Sequence, residues 1–329
     1  MSSLENGRDY RDGPGDEPSD SAVEVRRFEV DAAGHGQRLD KLLVTQAGEF
    51  SRSHLQSLIE RGAVSVDGVP SRTASRRLRA GQSVSVALEP TEECKAFTPE
   101  PMSLRVVFED AHLIVLDKPA GLVVHPAPGH WRGTLVNGLL AHHAGAALLP
   151  RAGIVHRLDK DTSGLMAVAR TLEAMTALTR AIAAREVRRE YLALAHGVLA
   201  AEPFSVEAPI GRDPVSRVRM AVVTDGKPAR TDVIRLAARD GFSALRCRLH
   251  SGRTHQIRVH LAWRGHPLVA DTLYGGAPAL GMTRQALHAV LLGLAHPATG
   301  VPLQFSAPLP ADLQAAWNEV AAGPVQPLQ

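Results

Sequence analysis

Apolar positions recur along the chain at two spacings, and the change from one to the other marks its elements. Arg38-Leu39-Asp40-Lys41-Leu42-Leu43 begins an amphipathic helix, and in a second helix Leu55, Leu58 and Ile59 share one face. Ser51 stands where an N-cap belongs, and Gly62 where a helix stops. The period then falls to two. Residues 63–69 alternate and turn at Asp67-Gly68, a hairpin signal, and residues 84–88 alternate again as a strand.

Further on, 104–117 reads as a strand pair broken at Asp110-Ala111. A helix over 171–185 is capped by Thr171 and lined by Leu172, Met175, Leu178, Thr179 and Ile182. Strands are predicted over 189–197, 204–210, 231–237 and 242–249. Strands dominate without regular alternation with helices, so the fold class is α+β. It divides into a disordered tail (1–22), a small α/β module (36–88), a proline-rich linker (89–101) and a larger mixed or antiparallel-sheet domain (102–320).

Composition narrows the function classes. Cys94 and Cys247 lie far apart with no metal-ligand spacing, which points to a reducing compartment. No apolar run is long enough to span a bilayer and the first residues are polar and acidic, so a cytoplasmic protein without a membrane partner is expected. Residues 1–22 hold two arginines against six acids, so the rest is more basic than the net charge of +3. Most of its cations are Arg, which contacts phosphate through a planar fork. Arg38, Lys41, Arg52 and Arg61, on or beside the first two helices, are candidates for binding an RNA backbone. No long exposed apolar stripe appears, and a monomer is expected.

The densest chemistry lies in Gly153-Ile154-Val155-His156-Arg157-Leu158-Asp159-Lys160-Asp161-Thr162-Ser163-Gly164. An apolar pair enters a knot of charged and hydroxyl residues, and a second apolar run, 165–169, leaves it. That pattern presents one carboxylate, Asp159, on a strand–turn–strand support. Taken alone, an Asp in a turn is more often a capping residue. His-Arg-Leu-Asp followed by Thr-Ser-Gly, however, resembles the active-site motif of pseudouridine synthases of the large-subunit rRNA type. Asp117-Lys118-Pro119-Ala120-Gly121, His266-Pro267-Leu268-Val269-Ala270-Asp271 and Tyr274-Gly275-Gly276 resemble other signatures of that family. Ala270 stands where the family often has Gly. The 36–88 module resembles an S-four-type RNA-binding domain, and with Gly226-Lys227-Pro228-Ala229 it is similar to the D branch of the family.

The resemblance implies an isomerase that breaks the uracil–ribose bond of a flipped uridine and rejoins the base through carbon 5. Its partner would be large-subunit ribosomal RNA or a pre-ribosomal particle. The reaction needs an ionised carboxylate, a cation to keep it ionised and a flat stacking surface, and no metal or cofactor. The resemblance assigns these roles to Asp159, to Arg258 in Arg253-Thr254-His255-Gln256-Ile257-Arg258, and to Tyr191. It also implies that Arg157 fills the gap left by the base or contacts its phosphate. Arg253 is the alternative cation, placed in the loop nearer phosphate. Thr254 reads as an N-cap and Gly265 as a stop for a short helix carrying Arg258.

Two rivals remain. Asp159 and Asp161 could be the acid and base of a glycosidase, since residues i and i+2 of an extended segment point the same way; the preferred reading makes Asp161 a turn residue bonded to its own backbone. The chain could also be a catalytically silent RNA-binding factor. His250, His255 and His260 recur every five residues, which is not zinc spacing, and are assigned to packing or phosphate contact.

Overall fold

The computed structural model of the protein describes residues 24–88, 94–127, 129–216 and 218–321. The acidic stretch 1–22 lies outside the described residues. The chain forms two compact units, 1–94 and 95–329.

The first unit contains β1 (Glu24–Glu29), α1 (Leu39–Gln46), α2 (Arg52–Arg61), β2 (Val64–Val66), β3 (Val69–Pro70) and β4 (Ser83–Leu88). Its strands make an antiparallel sheet in the order β1-β4-β2-β3. Leu39 and Leu43 of α1 and Leu55, Leu58 and Ile59 of α2 are buried with Val64, Val66, Val84 and Val86. The local signals hold. Ser51 Oγ accepts from the His54 N–H at 3.3 Å, and Gly62 ends α2 at φ 83°. Asp67 and Gly68 both take positive φ, 55° and 78°, as a two-residue hairpin turn needs.

The second unit begins with β5 (Val106–Glu109), β6 (Leu113–Lys118), α3 (Leu135–His142), β7 (Ser163–Ala169), α4 (Leu172–Ala183) and β8 (Arg188–His196). It continues with β9 (Phe204–Glu207), β10 (Ile210–Arg212), β11 (Met220–Val222), β12 (Arg230–Arg239) and β13 (Phe242–Leu249). It ends with α5 (Gln256–Trp263), β14 (Leu287–Ala295), β15 (Pro302–Ser306) and α6 (Ala311–Val320). Nine strands join in the order β5-β6-β7-β14-β8-β13-β12-β9, with β15 paired to β14. Every pairing is antiparallel except β7 with β14, so the sheet is mixed. At the parallel contact a Cβ on Gly164 would stand 2.3 Å from Ala289 O, so glycine alone allows β7 to close on β14 there.

Strand alternation sorts the helices onto two faces. Tyr191, Ala193 and Ala195 of β8 share a core with Leu135 and Leu139 of α3 and Ile257 and Leu261 of α5. Leu192 and Leu194 face the other way, against Leu313 and Trp317 of α6. Ala174 and Leu178 of α4 cover Val115 and Leu165. The site lies on the face carrying α5.

Four local expectations change. The 204–210 run splits at Ala208-Pro209 into β9, which joins the large sheet, and β10, which pairs with β11. Leu172 is exposed, and α4 buries Ala174 in its stead because the helix rotates to put its small residue on the sheet. Of the stretch read as linker, 89–101, residues 89–93 lie outside the described residues and 96–100 are tied to the second unit: Asn137 Nδ2 donates to the carbonyls of Ala96 and Thr98 at 3.0 and 2.9 Å, and Glu100 accepts from Arg132 and Gly133. Thr254 does not cap α5. The residue preceding that helix is His255, in the left-handed conformation at φ 56°.

Candidate active site

Asp159 sits in a turn gripped by its surroundings. Upstream, Ile154 makes a single bridge to Val168, so only the downstream arm, β7, is a strand and the expected strand–turn–strand has one full arm. Thr162 N–H donates to Asp159 O at 3.2 Å and closes the turn, whose tip therefore needs no bond from the Asp161 carboxylate. The Lys160 carbonyl accepts from Gly121 N–H and from Lys118 Nζ, both at 2.9 Å. Lys118 also donates to the carbonyls of Pro119 and Leu122, so each ammonium hydrogen has one acceptor. Burial lowers its pKa to about 8, against the pull of Asp161 and Asp159. Arg284 Nη1 donates to Asp161 O at 2.9 Å, and Gln285 Nε2 to the buried Thr162 hydroxyl at 3.2 Å.

The carboxylate meets its cation from α5. Arg258 Nη1 donates to Asp159 Oδ2 at 3.0 Å. Its Nε and Nη2 donate to Asp271 Oδ2 and Oδ1, both at 2.8 Å. Burial alone would lower the Arg258 pKa, but the bonds and charge of Asp271, then those of Asp159, outweigh it and hold the guanidinium charged. On the other side His255 Nε2 stands 3.8 Å from Asp159 Oδ1. His255 Nδ1 lies 2.7 Å from the Tyr274 hydroxyl, which also accepts from Met220 N–H at 3.0 Å. Burial lowers the His255 pKa, so the ring is neutral at pH 7. The Arg258 guanidinium lies 5.0 Å from the Tyr274 ring centre, a cation–π contact.

These groups open on a cleft of about 660 Å³, a volume suited to a nucleotide. Its wall includes Arg157, Asp159, Tyr191, Arg253, His255 and Arg258. Among the described residues Asp159 is the one acid lining it, beside six arginines. Asp161 is not on the wall, so the glycosidase reading loses its second carboxylate.

The second unit thus brings together five of the sequence-derived candidates: Asp159, Arg258, Tyr191, Arg157 and Arg253. Tyr191 is 5% exposed, and burial raises the pKa of its hydroxyl. Arg253 Nε donates to Pro228 O. The four candidates in the first unit differ among themselves. Arg38 donates through Nε and Nη2 to the fully buried Asp40, and Arg52 donates to the same carboxylate at 2.9 Å. Arg38, Arg52 and Gln56, acting against burial, hold that carboxyl far below the usual range. Lys41 and Arg61 are exposed. Of the three evenly spaced histidines, His250 meets Asp232 at 2.6 Å and His260 meets Thr231 Oγ1 at 2.9 Å.

Sequence reasoning missed Asp271, Tyr274 and Lys118 as site residues and took His255 for packing or phosphate contact. The first three lay inside the segments that carried the family resemblance, which was the available signal; His255 stood three residues before Arg258.

Comparison with known proteins agrees. The sequence profile described as RNA pseudouridylate synthase matches residues 112–263, and that of the S4 domain matches 37–84. The chain is 46% identical to "Ribosomal large subunit pseudouridine synthase D" of Neisseria meningitidis serogroup B, over 94% of this chain and 86% of that protein. The protein of the same name from Nitrosomonas europaea is 44% identical, over 96% and 94%. Among solved structures, "Human RNA Pseudouridylate Synthase Domain Containing 1" aligns at a TM-score of 0.53 and 27% identity, over 70% of this chain and 93% of that one.

Proposed function

The chain belongs to the RNA pseudouridylate synthase family, and from that membership we propose that it isomerises uridines to pseudouridine in large-subunit (23S-type) ribosomal RNA, with Asp159 as its catalytic carboxylate. The observation that carries this reading is the chain Asp159–Arg258–Asp271 at the wall of a cleft holding no other acid among the described residues. Arg258, held by Asp271 through Nε and Nη2, reaches only Oδ2 of Asp159 and leaves Oδ1 to the substrate.

In the reaction the bond between N1 and the ribose C1′ breaks and a bond from C5 to C1′ forms. The C5 hydrogen leaves as a proton and N1 gains one, so no oxidant is required. Asp159 acts at the sugar–base junction, Arg258 is its ion-pair partner, and Tyr191 offers its ring to the flipped uracil. Arg157, exposed on the cleft rim, fills the stack that the uridine leaves or holds its phosphate. Arg253 takes backbone phosphate beside it. Arg38, Lys41, Arg52 and Arg61 of the S4 domain grip RNA, the first and third with the donors that Asp40 leaves unused. The protein works in the cytoplasm, as a monomer, on ribosomal RNA or a pre-ribosomal particle, and contributes to ribosome maturation. No helix among the described residues is long and apolar enough to cross a membrane.

The test is tritium release from ribosomal RNA labelled at uracil carbon 5. Wild type releases tritium and Asp159→Asn, with RNA binding intact, releases none. Full release by Asp159→Asn, or none by wild type, overturns the reading.

A further inference from the structure

Among the described residues, the buried charge of Arg189 has no counter-charge. Arg189 precedes Tyr191 by two residues on β8, so both side chains leave the same face of the strand, toward the cleft that both line. Arg189 is 5% exposed. Its Nε and Nη2 are buried and have no hydrogen-bond partner among the described residues, and no carboxylate there pairs with it. The cleft's one acid, Asp159, is held by Arg258. A guanidinium withdrawn from water without a partner is strongly disfavoured.

The fold nevertheless makes room for it. A Cβ on Gly252 would stand 2.9 Å from Arg189 Nη1, so the guanidinium lies against bare main chain in the loop 251–253, which also lines the cleft. Arg185, Arg157 and Arg253 line the same wall and add to its positive potential.

We propose that Arg189, seated against Gly252, is a phosphate-binding residue of the cleft, taking the phosphodiester of the uridine whose base lies on Tyr191. This rests on the RNA-modifying function proposed above. A phosphate supplies the negative charge that the wall lacks and a planar pair of acceptors for the fork. A uracil carbonyl would satisfy one N–H and leave the charge unmatched. The site therefore reads the nucleotide's backbone rather than its base, and the substrate itself completes the electrostatics of the wall.

The experiment uses the full chain and two small probes, uridine and uridine 5′-monophosphate. Wild type binds the monophosphate about tenfold tighter than uridine, the worth of one charge-assisted hydrogen-bonded contact. Arg189→Met binds both alike, with its uridine affinity unchanged, and Arg189→Lys keeps part of the preference. Without nucleotide, Arg189→Met melts at or above the wild-type temperature, because an unpaired buried charge has been removed. Arg185→Gln, on the rim, retains most of the preference. Equal binding of the two probes by wild type overturns the proposal. So does an Arg189→Met protein that still prefers the monophosphate, or one that melts well below wild type, which marks a structural role. Tritium release separates this from the function itself: a wild type that prefers the monophosphate but releases no tritium sinks the enzymatic reading alone, and the converse sinks only the phosphate site.

Discussion

Asp271 holds Arg258 through two parallel hydrogen bonds of 2.8 Å, to Nε and Nη2, and Nη1 alone reaches Asp159, at 3.0 Å. The bidentate pair sets the plane of the guanidinium and so the place where Asp159 meets it. Both partners are buried, with side chains 8% and 1% exposed. Asp271→Asn keeps the shape and removes the charge. Breaking one side of such a pair costs about 3–5 kcal/mol of stability, and freeing the guanidinium lowers kcat about 100-fold. Denaturant titration and single-turnover tritium release on the same preparation check both. An unchanged kcat would remove Asp271 from the site.

The Tyr274 hydroxyl accepts from Met220 N–H, and we expect its own proton to go to His255 Nδ1. That leaves the imidazole proton on Nε2, facing Asp159 Oδ1. Tyr274→Phe deletes the bond and releases the tautomer. We expect kcat to fall about tenfold, as for loss of one orienting hydrogen bond, with little change in KM. Nitrogen-15 NMR of His255 reads the tautomer directly; a wild-type ring protonated on Nδ1 would contradict the assignment.

Ala270, where the resembled family often has Gly, sits at φ 59° immediately before Asp271. A side chain in that region is strained, and glycine is not. Ala270→Gly is expected to stabilise the protein by about 1 kcal/mol with activity unchanged. A lower denaturation midpoint would show that the alanine methyl packs better than it strains.

Two histidines, the half-buried His156 and the buried His288, make the fold sensitive to acid. Burial, and then the charge of Arg189, lowers the His156 pKa to about 3; its Nε2 accepts from Ala167 N–H, a bond that protonation would break. Burial, the largest influence, lowers that of His288 to about 4. Both folded values lie below the unfolded value of about 6.5. The unfolded chain therefore binds protons that the folded one refuses. The stability they contribute is complete above pH 6.5 and is lost as pH falls through the folded values. Each histidine steepens the loss by at most about 1.4 kcal/mol per pH unit. Urea titrations between pH 7 and pH 5 measure the slope, and His288→Asn should flatten it; an unchanged slope would mean that His288 titrates normally.

Much of this molecule is written locally. Ser51, Gly62 and Thr171 act on backbone groups within four residues, and Asp67-Gly68 turns through its own positive φ angles, so these roles follow from neighbours alone. The strand and helix periods followed which side faces a core. Asp159 was legible because its motif is contiguous, and Arg258 and Tyr191 because each lies in a short segment that resembles the family.

What the tertiary structure decided are the contacts between residues far apart in the chain. Arg258 reaches Asp159 across 99 positions, Lys118 reaches the Lys160 carbonyl across 42, and Gln285 reaches Thr162 across 123. No period or cap records such distances. Thr254 looked like an N-cap because only its residue type was visible, whereas packing placed His255 before α5 and aimed its ring at Asp159. The sequence by itself determined most of the elements and singled out Asp159, since those depend on backbone preference and on one contiguous motif. The ion pairs around that carboxylate, and the Arg189 that finds no counter-charge among the described residues, exist only once the sheet has brought β7, β8 and α5 together. Charge interactions depend on distance in space and on exclusion of water, and folding alone sets both.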